Sequence, residues 1–294
     1  MNKETMQQLI IKALQKELGD TYSIFIHEVL KTNLVLDGLS ILKQGENVSP
    51  SIYLNSFYKD LESGIPLTVV INNILSIYKQ CSFPGYLDVS KILDFNNVRS
   101  NLFVKLINKH LNEKLLENVP HTYFLDDFAI TVHCKLNQTK EGLFSFAITN
   151  DYLKAWNLTA PALISIAKEN TISLMGLDIE NLSDSLQSMH VQVPSLPIWV
   201  MTNRYMLNGA ATVLNDNVLK EFAATCGNFY IIFSSIHEVL LIPSNDNLNI
   251  EMLTNLNQEV NASSLNEEDI LGTKAYYYEK GKGIICLLYT SDAA

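Results

Sequence analysis

The chain has 294 residues, of which 47% are apolar and 18% are charged, so it can bury a sizeable core and disorder is not expected. Its formal net charge of −10 argues against nucleic acid and anionic membrane surfaces as partners, because both carry negative charge themselves. No apolar run approaches the roughly 20 residues that a membrane-crossing helix needs. The widely spaced Cys81, Cys134 and Cys226 are typical of reduced thiols, and no secretory signal opens the chain, so we expect a cytoplasmic protein.

The end of the chain is set apart from the functional arguments. Residues 286–294 back-translate into a transposase sequencing adapter, so we expect a non-native tail and a chain truncated after Ile285. Cys286 and Asp292 are therefore not considered as functional groups. Residues 1–285 exceed the usual size of one domain, and we predict two regions, at 1–119 and 120–285.

The first region shows mainly helical periodicity. Met6, Ile10 and Leu14 recur on one stripe, and Gly19 follows where a helix cap is expected. Alternating and β-branched stretches after this helix predict a small sheet. The predicted elements are strands at 22–30, 34–42 and 52–54 and helices at 67–78 and 98–116.

The second region is rich in predicted strands. Phe128, Ile130 and Val132 alternate with other residues at period two, and the polar loop at 137–142 predicts a hairpin with the strand that follows. Because hairpin connections dominate, the pattern predicts an α+β fold: a helical N-terminal half with a small sheet, then a mainly antiparallel sheet with helices packed on it. Further predicted elements are strands at 198–202, 210–214, 229–233 and 238–242, a short helix at 179–189 and a helix from Asp216 to Cys226.

No motif of a known catalytic, phosphate-binding or zinc site occurs in the chain, so no cofactor and no metal is predicted. Cys134 and Cys226 lie on apolar faces of their predicted elements, which indicates buried structural thiols. His133 precedes Cys134 in a strand, so the two side chains point to opposite faces and cannot share one metal.

The segment Ser234-Ser235-Ile236-His237-Glu238 combines hydroxyl, imidazole and carboxylate groups between two predicted strands. A histidine can activate a nearby serine as a nucleophile, and a carboxylate can orient the imidazole. The alternative, which we favour, is a polar turn whose side chains bond to the backbone, because neighbours in sequence need not face one another.

Several short segments resemble a known group of sequences. They are Asn118-Val119-Pro120-His121, Ile148-Thr149-Asn150, Leu153-Lys154-Ala155-Trp156 and Ser234-Ser235-Ile236-His237-Glu238-Val239. On these the chain resembles an uncharacterised family of bacterial proteins, a domain of unknown function common in gut anaerobes. The resemblance implies a bacterial cytosolic protein, and it transfers no activity.

The polar residues of these segments lie at strand ends or loops, where functional residues are concentrated. The candidate catalytic residues are His237, Ser235, Ser234, Glu238 and His121, and the candidate ligand-binding residues are Asn203 and Asn150.

Three hypotheses follow for the function. The leading one is a non-enzymatic cytosolic protein that binds an unidentified protein or small molecule. The second is a hydrolase or transferase in which His237 activates Ser234 or Ser235, with Glu238 or His121 in support. The third is an accessory protein of a mobile element, which the acidic charge disfavours.

Overall fold

The computed structural model describes residues 1–47, 49–80, 90–139, 142–182, 197–245 and 247–285. The chain forms two compact units that divide between Lys91 and Ile92, and we call them unit 1 and unit 2. The predicted α+β class is confirmed, because helices accompany sheets whose described strand pairs are antiparallel. In the described ranges, no helix has both the length and the apolar character needed to cross a membrane. The predicted tail at 286–294 lies outside the described residues.

Unit 1 combines helices with a three-stranded sheet of order β1-β2-β3. Its first helix begins after Asn2, whose side chain accepts the N–H of Thr5 at 2.9 Å, and it ends at the predicted cap Gly19. The three strands predicted from the sequence are confirmed within one or two residues. The elements are α1 (Lys3–Leu18), β1 (Tyr22–Lys31), β2 (Leu34–Lys43), β3 (Ser51–Tyr53), α2 (Asn55–Glu62) and α3 (Leu67–Gln80), and the division between the units falls within α4 (Ser90–Leu93).

The core of unit 1 lies between its helices and its sheet. Met6, Ile10 and Leu14 of α1 are buried together with Val70 and Ile74 of α3, as the helical spacing predicts. A group of polar contacts fixes α1 to the sheet nearby. In this group the carboxylate of Asp37 accepts hydrogen bonds from Lys3, Gln7 and Tyr58.

Unit 2 contains two further antiparallel sheets. In the first, β6 pairs with β4 on one side and with β5 and β7 on the other; the second has the order β13-β12-β10-β11-β9-β8. The elements are α5 (Phe95–Val98), β4 (Leu102–Asn108), α6 (Glu113–Leu116), β5 (His121–Phe124), β6 (Phe128–Thr139), β7 (Gly142–Ala147), α7 (Asn150–Trp156), α8 (Ala160–Met175), β8 (Asp178–Asn181), β9 (Trp199–Thr202), α9 (Asp216–Cys226), β10 (Phe229–Ile232), β11 (Val239–Pro243), α10 (Ile250–Ser264), β12 (Ala275–Glu279) and β13 (Gly283–Ile285).

Aromatic side chains pack between the elements of unit 2. The ring of Phe128 in β6 lies 4.7 Å from that of Phe233 and 5.7 Å from that of Tyr276, measured between centroids. All three side chains are almost fully buried. Because β6 belongs to one sheet and Tyr276 to the other, this cluster joins the two sheets of the unit.

Some predicted elements are wrong. Residues 98–116, which the sequence predicts to be a helix, include strand β4. This strand pairs with β6 along its length, from Leu102↔Cys134 to Asn108↔Phe128. The strand predicted at 210–214 is a 3₁₀ turn, Gly209–Leu214. The helix predicted at 179–189 begins in strand β8, and its part beyond residue 182 lies outside the described residues.

The strand β4 also bears on where the chain divides. The sequence pattern puts the boundary at residue 119, because it assigns 98–116 to a helical first region. In the structure the division falls between Lys91 and Ile92, and β4 pairs within the sheet of unit 2. Residues 92–119 therefore belong with the predominantly antiparallel part of the chain.

Candidate functional site

The segment Ser234–Glu238 connects β10 to β11 and is held against residues 269–271 by main-chain bonds. The carbonyl of Ser234 accepts the N–H of Leu271 at 2.8 Å, and Ser235 forms a β-bridge with Ile270. The N–H of Ile236 donates to the carbonyl of Asp269 at 2.9 Å. The segment is therefore an ordered connection with fixed side-chain directions.

Both ring nitrogens of His237 are bonded inside the protein. Nδ1 accepts the main-chain N–H of Asn208 at 3.2 Å, so Nδ1 carries no hydrogen in this arrangement. Nε2 lies 3.0 Å from Oδ1 of Asp269 and donates its hydrogen to that carboxylate. The neighbouring groups thus fix the tautomer of the imidazole and occupy both of its nitrogens.

The hydroxyl of Ser235 bonds to the main chain and not to this imidazole. Its Oγ accepts the main-chain N–H of His237 at 3.0 Å. Burial raises the pKa of Glu238, and the nearby His237 and Ser235 act in the opposite direction. Ser235 is 1% exposed and Ser234 is 6% exposed, so neither side chain is open to a bulky substrate.

Asn203 shapes the loop that delivers the N–H of Asn208. Its side-chain oxygen accepts from the N–H of Tyr205 at 2.9 Å, and its amide donates to the carbonyl of Leu207 at 2.7 Å. Asn203 is 2% exposed, so the amide serves the loop and not the solvent. The hydroxyl of Thr202 extends the connection by donating to the carbonyl of His237 at 2.7 Å.

Several candidate residues therefore come together around one histidine. We call the group of Asn208, Ser235, His237, Glu238 and Asp269 the His237 cluster. Asn203 and the buried Ser234 flank this cluster through the loop and the strand connection described above.

His121 and Asn150 lie at a different place in unit 2. Nδ1 of His121 bonds to the carbonyl of Val119 at 3.0 Å, and the amide of Asn150 donates to the carbonyl of Glu117 at 3.0 Å. His121 lines a groove of about 290 Å³ with Tyr123, whose ring lies 5.3 Å from the imidazole. Among the described residues, no hydrogen bond or ion pair joins His121 to the His237 cluster.

A second concave site lies between α8 and α9. This cleft has a volume of about 320 Å³, and lysines from both helices, Lys168 and Lys220, line it. Within the described ranges, no group of three or more His, Cys, Asp and Glu side chains is arranged to hold a metal ion.

Sequence reasoning missed residues that the structure places at these sites. Asp269 is 32 residues from His237, and the acidic run that precedes it is the one signal that the sequence offers. Asn208 contributes a main-chain N–H, which no side-chain motif reveals. Lys168 and Lys220 belong to separate helices, and only the tertiary packing of those helices brings the two lysines to one cleft.

Comparison with known proteins identifies the family. Residues 3–280 match the model of a family of unknown function, DUF5688. The chain belongs to this family, which confirms the resemblance to an uncharacterised domain family. No curated protein and no solved structure matches the chain.

Proposed function

We propose that this protein is a non-enzymatic binding protein of the bacterial cytoplasm that takes a small molecule or a protein partner. One observation carries the proposal: both nitrogens of His237 are engaged by Asn208 and Asp269. A general base needs a nitrogen lone pair within reach of the proton that it removes. The lone pair at Nδ1 of His237 is occupied by a main-chain N–H, and Nε2 carries a hydrogen.

The environment of the serines supports the same conclusion. Ser235 is almost fully buried, and the hydrogen bond that its Oγ makes is with the main-chain N–H of His237 and not with the imidazole. A nucleophile must reach the atom that it attacks, which a side chain at 1% exposure does not do without rearrangement. The polar residues of the segment therefore serve to hold three connections of unit 2 together.

The cytoplasmic assignment rests on the thiols and the charge. Cys134 and Cys226 are free, as is usual in a reducing compartment. The net charge of −10 makes nucleic acid and anionic membranes poor partners. The proposed partner is accordingly a protein or a small molecule.

A fluorophosphonate probe tests the absence of a nucleophilic serine. We expect no labelling of the folded chain, with Ser235→Ala and His237→Ala as matched variants. Labelling of Ser234 or Ser235 that disappears in His237→Ala would contradict the proposal. The same holds if His237→Ala kept the fold but abolished a defined turnover.

A second candidate function, a serine-dependent hydrolase or transferase, is favoured by the pairing of His237 with Asp269 at 3.0 Å. Carboxylates orient the histidines of many catalytic sites in this way. In this function Asn208 would have to release Nδ1 when substrate binds. Serine labelling that is lost in both Asp269→Asn and His237→Ala would support the hydrolase or transferase function. Labelling that is unchanged in Asp269→Asn would contradict it.

A further inference from the structure

The cleft between α8 and α9 has a floor that hydrogen bonds hold in place. The hydroxyl of Thr171 in α8 accepts the N–H of Val104 in β4 at 3.1 Å and donates to the carbonyl of Ala167 at 2.7 Å. Thr171 and Ala211, both of which line the cleft, are 5% and 3% exposed. Because the floor belongs to a strand, a helix and a buried 3₁₀ turn, the cleft is formed before any ligand arrives.

Two lysines stand at this cleft on separate helices. Lys168 lies three residues before Thr171 and so shares the face of α8 that borders the cleft. Lys220 comes from α9. Both residues are exposed, and neither makes an ion pair within 4.0 Å with a described residue. Their ammonium groups are therefore available to a ligand.

The remaining polar groups of the cleft leave it with an excess of positive charge. Asp216 is the one carboxylate among the lining residues that the structure describes, so the lining carries one negative charge and the two positive charges of Lys168 and Lys220. The N-terminal end of α9 adds little to the attraction for an anion, because the side chain of Asn215 already accepts the N–H of Asn217 at 3.1 Å. The two lysines therefore give the lining of the cleft a net positive charge.

We propose that this cleft binds a small dianion, such as a phosphate monoester or a dicarboxylate, between Lys168 and Lys220. The volume of about 320 Å³ is at the lower end of the range for small-molecule sites, which fits a metabolite-sized ligand. A ligand with two anionic ends can contact both ammonium groups at once, whereas a single anionic group contacts them one at a time. This inference rests on the proposed binding function and names the class of ligand.

Calorimetric titration of the full chain tests the inference, with pyrophosphate, inorganic phosphate and succinate as the probes. We expect one saturable site per chain for a phosphate probe or for succinate, and weaker binding as the salt concentration rises. Comparison of the three titrations separates phosphate from dicarboxylate chemistry. An absence of saturable binding for all three probes would overturn the inference.

Variants locate the binding in the cleft. Lys168→Gln and Lys220→Gln are each expected to weaken binding about tenfold, which corresponds to the loss of one charge-assisted contact. Lys12→Gln is the matched control, because Lys12 is an exposed lysine of α1 in unit 1. If all three variants bound the probe with equal affinity, the probe would be an adventitious ion only, bound elsewhere on the surface, and the proposed site would be refuted.

The two proposals fail in different ways. If no probe binds and the serines stay unlabelled, the anion site is refuted and the non-enzymatic function stands. If a serine is labelled in a reaction that needs His237, the non-enzymatic function is refuted whatever the lysine variants do. Thermal unfolding of each variant confirms that the exposed substitutions leave the fold intact.

Discussion

Asn208 donates its main-chain N–H to Nδ1 of His237 at 3.2 Å, and so a loop and a strand connection are joined through one imidazole. Asn208 has a φ of 55°, in the left-handed region that asparagine tolerates better than most residues. The opposite nitrogen of His237 bonds to Asp269. The imidazole therefore links three separate segments of unit 2.

Substitution of His237 should loosen the loop at Asn208. In His237→Ala we expect loss of about 1 kcal/mol of local stability, because the N–H loses its acceptor. Faster hydrogen exchange at the Asn208 amide measures the effect. His237→Asn is the informative comparison, since its side-chain oxygen can take the place of Nδ1. Unchanged exchange in His237→Ala would show that the bond does not hold the loop.

A methyl group at Gly209 should destabilise unit 2. A Cβ atom there would collide with the hydroxyl of Thr202 and the carbonyl of His237, and it would lie 2.7 Å from the main-chain nitrogen of Asn203. Because two of these three atoms belong to the main chain, relief requires movement of the loop. We expect Gly209→Ala to lower the free energy of unfolding by about 3 kcal/mol or more.

Gly227→Ala is the control for that substitution. Gly227 has a φ of +80°, and no atom lies within 4 Å of the position that a Cβ would take, so only backbone strain opposes the change. Its expected cost is about 1–3 kcal/mol, measured by the same chemical denaturation. If the two variants were equally stable, the crowding at Gly209 would be without consequence.

Acid should weaken unit 2 through Asp127. Burial alone would raise the pKa of this carboxyl, but hydrogen bonds from Tyr276 at 2.6 Å and Lys274 at 2.9 Å leave its pKa below the ordinary value. A lowered pKa in the folded state means that the stabilisation is present above the ordinary aspartate pKa of about 4. It is lost as the pH falls through the lower folded value.

Asp127→Asn tests this linkage. We expect a loss of about 1–3 kcal/mol at neutral pH and a shrinking difference from the unmodified chain below about pH 4. Denaturant unfolding across that pH range gives both quantities. The exposed neighbour Asp126 provides the control, and Asp126→Asn should change little. A pH-independent difference would contradict the assignment.

The thiols of Cys134 and Cys226 should differ in reactivity. Burial raises the pKa of the Cys134 thiol to about 11. Cys134 is 1% exposed, whereas Cys226 is partly exposed. Because the thiolate is the reactive form, a disulfide reagent should modify Cys226 first. The rates are read in a background with Cys81 and Cys286 replaced by serine, and Cys134→Ser assigns them. Equal rates would contradict the burial of Cys134.

Local periodicity predicts the elements whose partners are close in sequence. The helix of Met6, Ile10 and Leu14 and the antiparallel strands β1 and β2 follow from patterns within a few residues. Strand β4 does not, because Leu102 and Leu106 fit a helical face as well as one face of a strand. Its pairing with β6, which is distant in sequence, makes this segment a strand and not a helix. A local sequence pattern does not reveal that pairing.

The candidate site shows the same division. The sequence identifies His237, Ser235 and Glu238 as one polar segment, but the roles of the groups depend on distant partners. Asp269 and Asn208 bond to the imidazole from two other segments, and the proposed structural role of His237 rests on these two bonds. Reactivity is a property of geometry, which residue type and spacing leave open.

Each unit has its own hydrophobic core, one centred on residues such as Ile10 and Ile74 and the other on residues such as Phe128 and Phe233. A molecule that binds only the folded form of one unit raises the unfolding temperature of that unit, and it does so more strongly the tighter it binds. Where the two units melt separately, a calorimetric screen reports both that a compound binds and which unit receives it. The architecture thus provides an internal reference, because the unit without the ligand shows how the solution itself affects stability.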